Sequence, residues 1–457
     1  MNTSYDVKFW EIQRKTDRKT LSFVVRWTVA RKARSKSFRT KGLAENYLSD
    51  LRQAAKAGEA FDTATGLPLS MLASELPSGP TFLEFAQSYV FSRWRTSAAR
   101  TRETDVYGLL SLIPALVADL PNRPKGGDIR EILRNHALLP KDRRGELARV
   151  LVPVLSWLEK ASLPLVDLQD PRVARIALDA ISVTFDGEDA AANTVRRKRE
   201  VLHHLLELAV EQKELPVNPL HAIKWTPPKA AGTIDPRTVV NPEQARALLA
   251  AVPTVGRTRG ERLQGMFACM YYAALRPEEA AGLRRQNCDL PEEGWGLLTV
   301  ERAYPQANKR WTNSGETHDS RGLKHRAKDD TREIPIPPVL VTILRAYIDR
   351  YGVADDGRLF RTSTGRPFSS SAYSGVWQEA RRLAFTAGQV ASPLATRPYD
   401  LRHAAVSLWL NAGVPATEVA VRAGHSVDVL LKVYAKCIEG QQARANTQIS
   451  QALDTDP

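Results

Sequence analysis

Apolar positions recur with two different periods along this 457-residue chain, and the changes of period divide it. Near the N-terminus, "YDVKFWEI" (5–12) and "LSFVVRWTV" (21–29) hold β-branched and aromatic residues in partial alternation and predict strands. The turn-like "QRKTDRKT" (13–20) separates them, and "ARKARSKSFRT" (30–40) predicts a basic arm. Leu43, Tyr47, Leu51 and Ala54 then fall at helical spacing, with Gly58 as a stop.

Turn formers in "FDTATGLPLSMLASELPSGP" predict a linker over 61–80. Beyond it, "FLEFAQSYVFSRW" and "SAARTRETDVYGLL" predict helices with Thr81 or Thr96 as caps. Another helix follows Asn193, with a stripe of Val195, Leu202, Leu205, Leu206 and Ala209. A proline-rich stretch marks a second linker at 216–238, and Asn241 with Pro242 at N1 opens the next helix. The expected architecture is therefore multidomain. A small basic α+β module fills 1–60, an all-α domain 81–215 and a mainly helical α+β domain 239–457.

Composition narrows the partner. The net charge is +14, and residues 1–60 alone carry an excess of 8 positive charges. A surplus of that size points to a polyanion, because neutralising phosphates releases counterions. Arg93, Arg95, Arg196, Arg197 and Lys198 are candidates to grip such a backbone. The longest strongly apolar run, "MFACMYYAAL" (266–275), is too short to span a bilayer. With no N-terminal signal peptide, the chain is expected in the cytoplasm, on the nucleoid. Three widely spaced cysteines fit reduced thiols, and no Cys/His cluster has zinc spacing; the adjacent pair His203–His204 reads as structural. Neither a metal nor another cofactor is expected.

Four windows in the last region carry candidate chemistry. "YYAALRPEEAAGL" puts Arg276 just after an apolar helix, with Glu279 three residues on. "SRGLKHRAKDDTREIPIPP" predicts a β-hairpin whose turn is "AKDD". "RPYDLRHAAVSLWLNAG" predicts a helix from near Asp400 to Gly413, with Arg402 and His403 in its first turn. In "GHSVDVLLKVYAK", Ser426 caps a helix and Val427, Leu430, Leu431 and Tyr434 form one stripe. Taken alone, Tyr434 reads as a core residue.

In this order the four windows resemble the catalytic domain of the tyrosine recombinases, the phage-integrase family, and look like integrases of actinobacterial phages and integrative elements. The resemblance is strong after residue 238 and looser before it, where the basic module and helical region resemble arm-type and core-type DNA-binding domains. It implies that Tyr434 is a nucleophile forming a 3′-phosphotyrosine, with Arg276 and Arg402 clamping the phosphate. His425 hydrogen-bonds the scissile phosphate or assists proton transfer, and Glu279 supports Arg276 or caps its helix. Lys324 is the implied general acid, with Lys328 as its competitor. Many family members have His where this chain has Tyr399, which leaves the general base open. His403, one helical step of about 100° from Arg402, reads as structural.

Such chemistry needs these residue types. A phenol conserves the bond energy of the cleaved linkage. Guanidiniums stay charged and donate paired N–H bonds to the non-bridging oxygens of the transition state. An ammonium can protonate the leaving 5′-oxygen. The implied partners are double-stranded DNA attachment sites, a homotetramer on DNA, and an excisionase or a DNA-bending host factor, with no membrane. Two other readings compete: a non-catalytic DNA-binding protein, favoured by the helix-turn-helix look of "VPATEVAVRAGHS", and a type IB topoisomerase.

Overall fold

The computed structural model describes residues 3–17, 20–71, 79–229, 232–323, 330–437, 446–447, 449–451 and 453. Lys324 and Lys328 lie outside them. The chain forms two compact units: 1–92, 108–190 and 198–225 make the first, and 93–107, 191–197 and 226–457 the second. This division cuts across the three regions expected from the sequence, because two helices, Ala99–Leu112 and Ala192–Glu211, each pass from one unit to the other.

In the first unit, the long strand β4 (Thr20–Val29) organises the N-terminal module. β2 (Val7–Phe9) and β3 (Gln13–Asp17) pair along one edge of it and β5 (Lys32–Phe38) along the other, all antiparallel, and β1 (Thr3–Ser4) pairs instead with β6 (Phe61–Asp62). Two expectations change here. The turn-like 13–20 segment holds a strand, and so does the basic arm. Polar side chains do not prevent pairing, since the backbone makes the ladder and the side chains alternate to solvent. Val25, Trp27 and Val29 point inward onto Ala44, Leu48 and Leu51 of α1 (Lys41–Lys56). Leu43, taken as part of the apolar stripe, is instead more than half exposed.

The start of the expected linker belongs to this core. Phe61 and Leu67 are buried, and the Trp27 indole donates to the Gly66 carbonyl. The rest of the unit is helical. α2 (Phe82–Arg93) opens on a capping box in which Thr81 and Glu84 exchange hydrogen bonds. Thr96 caps nothing; its hydroxyl donates to the Arg93 carbonyl closing that helix. The helix over Ala192–Glu211 buries the expected stripe and adds Val201, which packs against Gly108.

In the second unit, the helix Arg259–Tyr272 is buried along nearly its whole length, and the main core gathers round it. A three-stranded antiparallel sheet packs into that core. Its central strand β8 (Gly296–Val300) is flanked by β7 (Cys288–Asp289) and by the strand Arg332–Ile336. The predicted hairpin is redrawn. The strand over 332–336 pairs with 296–300, and Arg321–Gly322 pairs with Arg302–Ala303. The two segments expected to face each other are thus successive parts of one return path along the 296–303 run. Isoleucines at alternate positions pull 332–336 onto a buried partner, which a pairing across a polar turn would not supply.

A smaller apolar cluster forms beside the main core from three helices: Asp400–Asn411, Ala416–Ala423 and Val427–Tyr434. Of the predicted stripe in the last helix, Leu430 and Tyr434 are fully buried, whereas Val427 and Leu431 are exposed for over a third of their surface. All three cysteines are buried. Among the described residues no helix is long and apolar enough to cross a membrane.

Candidate active site

Arg276 stands at the N-cap of the short helix Pro277–Gly282, where Pro277 presets the first turn. The Glu279 carboxylate reaches back to accept from the Arg276 backbone N–H at 2.9 Å. The same carboxylate accepts the Arg276 guanidinium at 2.8 Å and both terminal nitrogens of Arg332, at 3.1 and 2.7 Å. Its lone pairs are fully used. Burial pushes the Glu279 carboxyl up, but the charge and hydrogen bonds of Arg332, joined by Arg402 and Arg276, outweigh it and hold the pKa at about 2.

The other Arg276 nitrogen donates to the Gly424 carbonyl at 2.9 Å. Gly424 ends its helix in the left-handed region at φ 62°, and a side chain there would strike the Arg332 guanidinium. Glycine is required twice over, by conformation and by space. The next residue, His425, is thereby presented to Arg402.

Arg402 lies in the first turn of the 400–411 helix and has no exposed surface. Its guanidinium donates to the carbonyls of Ala274 and Ala423 and, at 2.8 Å, to His425 Nε2. Burial, reinforced by Arg402 and Arg276, lowers the His425 pKa to about 3, so the ring is neutral near pH 7. An Nε2 that accepts leaves the proton on Nδ1. His425 Nδ1 and Arg402 Nε are both buried without a hydrogen-bond partner.

Tyr434 is fully buried at the end of its helix, its ring centroid 6.1 Å from that of His425. Its hydroxyl lies 3.0 Å from His403 Nδ1. Burial raises the phenol pKa above its ordinary value, and the Arg402 charge opposes that rise. His403 is itself lowered to about 3, by burial first and then by Arg397 and Arg402. Tyr399 stands edge-on to His403 with ring centroids 5.0 Å apart.

The structure therefore gathers Arg276, Glu279, Tyr399, Arg402, His425 and Tyr434 into one cluster and adds two residues the sequence reading passed over. His403 is not a bystander. The helical step does turn it away from Arg402, but the Tyr434 ring enters on the side it faces. No local pattern announces that contact between residues 31 positions apart. Arg332 had a signal. It shares the alternation of Ile334 and Ile336, which places its side chain on the buried face.

The candidate phosphate-gripping residues fare differently. Arg93 lies 3.5 Å from Asp105, whose pKa burial raises to about 6 against the Arg93 charge. Arg95, Arg196 and Arg197 are exposed. Lys198 donates to the Val183 carbonyl at 3.1 Å and fixes local structure instead.

What the cluster offers chemically is an anion site. The guanidiniums of Arg276, Arg332 and Arg402 converge where Glu279 supplies the carboxylate, and three of the cluster's buried polar atoms, Arg332 Nε, Arg402 Nε and His425 Nδ1, stand unpartnered. A buried surplus of cationic donors is costly unless an anion joins it.

The family comparison agrees. Residues 238–439 match the phage integrase family. No curated protein matches the chain. Among solved structures, the chain is similar to the Tn1549 transposon integrase in complex with transposon right end DNA, at 17% identity over 71% of this chain and 98% of that one, with a TM-score of 0.46. It is also similar to the XerH site-specific recombinase bound to its difH substrate, at 12% identity over 76% and 95% of the two chains and a TM-score of 0.43. The lambda integrase bound to DNA follows, at 13% identity over 63% and 88% and a TM-score of 0.38. The chain thus carries a phage integrase family domain over residues 238–439.

Proposed function

We propose that the protein integrates or excises a mobile element by breaking and rejoining DNA through a 3′-phosphotyrosine intermediate. The observation that carries this reading is the convergence of the Arg276, Arg332 and Arg402 guanidiniums beside a phenol, with Glu279 as the shared carboxylate. Arg276 and Arg402 bind the non-bridging oxygens of one phosphate, and His425 donates to it through Nδ1, which has no other partner. Paired guanidinium bonds stabilise the charge that develops on those oxygens.

Tyr434 attacks phosphorus, the P–O bond to the 5′-oxygen breaks, and the phenolic proton passes to His403. A neutral imidazole protonated at Nε2 offers Nδ1 as that acceptor, a role the Tyr399 phenol fills poorly. Lys324 protonates the leaving oxygen, with Lys328 the alternative. Attack by a second strand's 5′-hydroxyl reverses the bond changes, and exchange on paired sites by a homotetramer runs through a Holliday junction. An excisionase or a DNA-bending factor sets the direction.

Because Tyr434 has no exposed surface in this state, the helix over 427–434 must shift before its hydroxyl meets DNA. The test is a nicked suicide substrate carrying the attachment site. A covalent protein–DNA adduct that Tyr434→Phe abolishes is the expected result. No adduct from the intact protein leaves only DNA binding, and relaxation of plasmid supercoils at any sequence points to a type IB topoisomerase.

A further inference from the structure

By sequence alone the adjacent pair His203–His204 is structural. In the fold, His203 is joined by Glu207, one turn along the Ala192–Glu211 helix, and by His221, on the short turn Pro219–His221 that follows it. One potential ligand atom from each lies within 4.8 Å of the other two. His221 Nε2 is 3.3 Å from Glu207 Oε1, and His203 Nε2 is 3.9 Å from the same oxygen. Tetrahedral zinc at its usual ligand distances sets neighbouring donors roughly 3.4 Å apart, so the first pair already fits and the second needs a small ring rotation.

Two further features make this more than a chance meeting on a surface. The Asn218 side chain is almost completely buried, and it aims the carboxylate by donating Nδ2 to Glu207 Oε1 at 2.6 Å. Its Oδ1 accepts the Leu220 N–H at 3.0 Å, so one side chain fixes the turn and the carboxylate together. The turn is also fastened from outside. Gln169 donates to the Val217 carbonyl at 2.8 Å, and Arg199 stacks on Trp225 at 4.8 Å. Support of this kind is what orients ligands in metal sites.

We infer that His203, Glu207 and His221 form a structural site for zinc or a similar borderline divalent cation. The residues are partly exposed, which leaves an entry path and room for water as the fourth ligand. Asn218 lies 3.2 Å from His203 Nδ1 and donates to it in the metal-free form. On loading, the His203 proton moves from Nε2 to Nδ1, Nε2 binds the metal, the bond from Asn218 to Nδ1 is given up so that Nδ1–H donates to water at this partly exposed ring, and Asn218 keeps its bond to Glu207. The bound ion ties the segment leading out of the helix to the helix itself. The chemistry proposed for the cleavage reaction does not use it.

The test uses the full chain, stripped with chelator and titrated with zinc chloride by calorimetry, and with cobalt(II) for its visible absorption. One zinc per chain is expected, with cobalt bands of tetrahedral intensity and a higher thermal midpoint when zinc is present. His203→Ala and His221→Ala should each weaken binding at least tenfold, while their midpoints without metal stay near that of the unaltered chain. Absence of uptake, or uptake unchanged in the double variant, overturns the assignment. If alanine proves disruptive, His221→Gln keeps the turn and must show the same loss.

Discussion

The Tyr434 hydroxyl and His403 Nδ1 sit 3.0 Å apart, the phenol fully buried and the imidazole partly so, with the imidazole's pKa lowered to about 3. In the resting state the proposed nucleophile is thus held by a neutral base. If that base also receives the proton, His403→Ala should slow adduct formation on a nicked substrate by about 10²-fold or more, the ordinary range for a general base. His403→Gln retains a hydrogen-bonding group without a titrating one and should be equally slow. Rates within threefold of the unaltered protein would reduce His403 to a packing residue.

The same histidines set a dependence of stability on pH. His403 and His425 both have folded pKa values of about 3, well below the ordinary value of 6.5. Between those limits the unfolded chain binds more protons than the folded one, so stability is complete above pH 6.5 and drains away as the pH falls toward 3. Denaturant melts of His403→Asn should show a flatter profile across this window. An unchanged slope would contradict the depressed value.

Arg332 touches neither the proposed nucleophile nor, in this reading, the phosphate, yet it holds the carboxylate that holds Arg276. Arg332→Ala leaves buried Glu279 with Arg276 as its remaining ion-pair partner and should cost about 3–5 kcal/mol of stability. Arg332→Lys keeps the charge but loses the paired bonds. Folded Arg332→Lys should bind attachment-site DNA as before while cleaving it at least tenfold more slowly. Equal losses in binding and cleavage would show that Arg332 acts on DNA directly.

Lys324→Ala should cripple cleavage of ordinary DNA and recover on a substrate with a 5′-thio leaving group, which departs without a proton. Recovery confined to Lys328→Ala would move the general acid to that position.

Exposed Arg196 and Arg197 are suited to phosphate contacts, whereas Lys198 is bonded to Val183. Replacing either arginine by alanine should weaken binding across all sequences and reduce the salt dependence by about one counterion. Lys198→Ala should lower the thermal midpoint while leaving the salt slope as it was.

The primary sequence alone determined the residue types and the local elements that carry them. Helical spacing located the 192–211 stripe, Pro242 after Asn241 marked a helix start, and Gly58 marked a helix end. These are short-range effects of propensity and sterics, so a window of a few residues contains them. Partnership was decided elsewhere. Arg332 meets Glu279 across 53 positions, and the 332–336 strand chose the 296–300 strand over the nearer segment. His403 reached Tyr434 only because three helices pack into one small cluster, and the polar 13–17 and 32–38 segments became strands only because β4 lay beside them. Long-range contacts of this sort depend on which apolar faces are buried together, and that is a property of the whole folded chain.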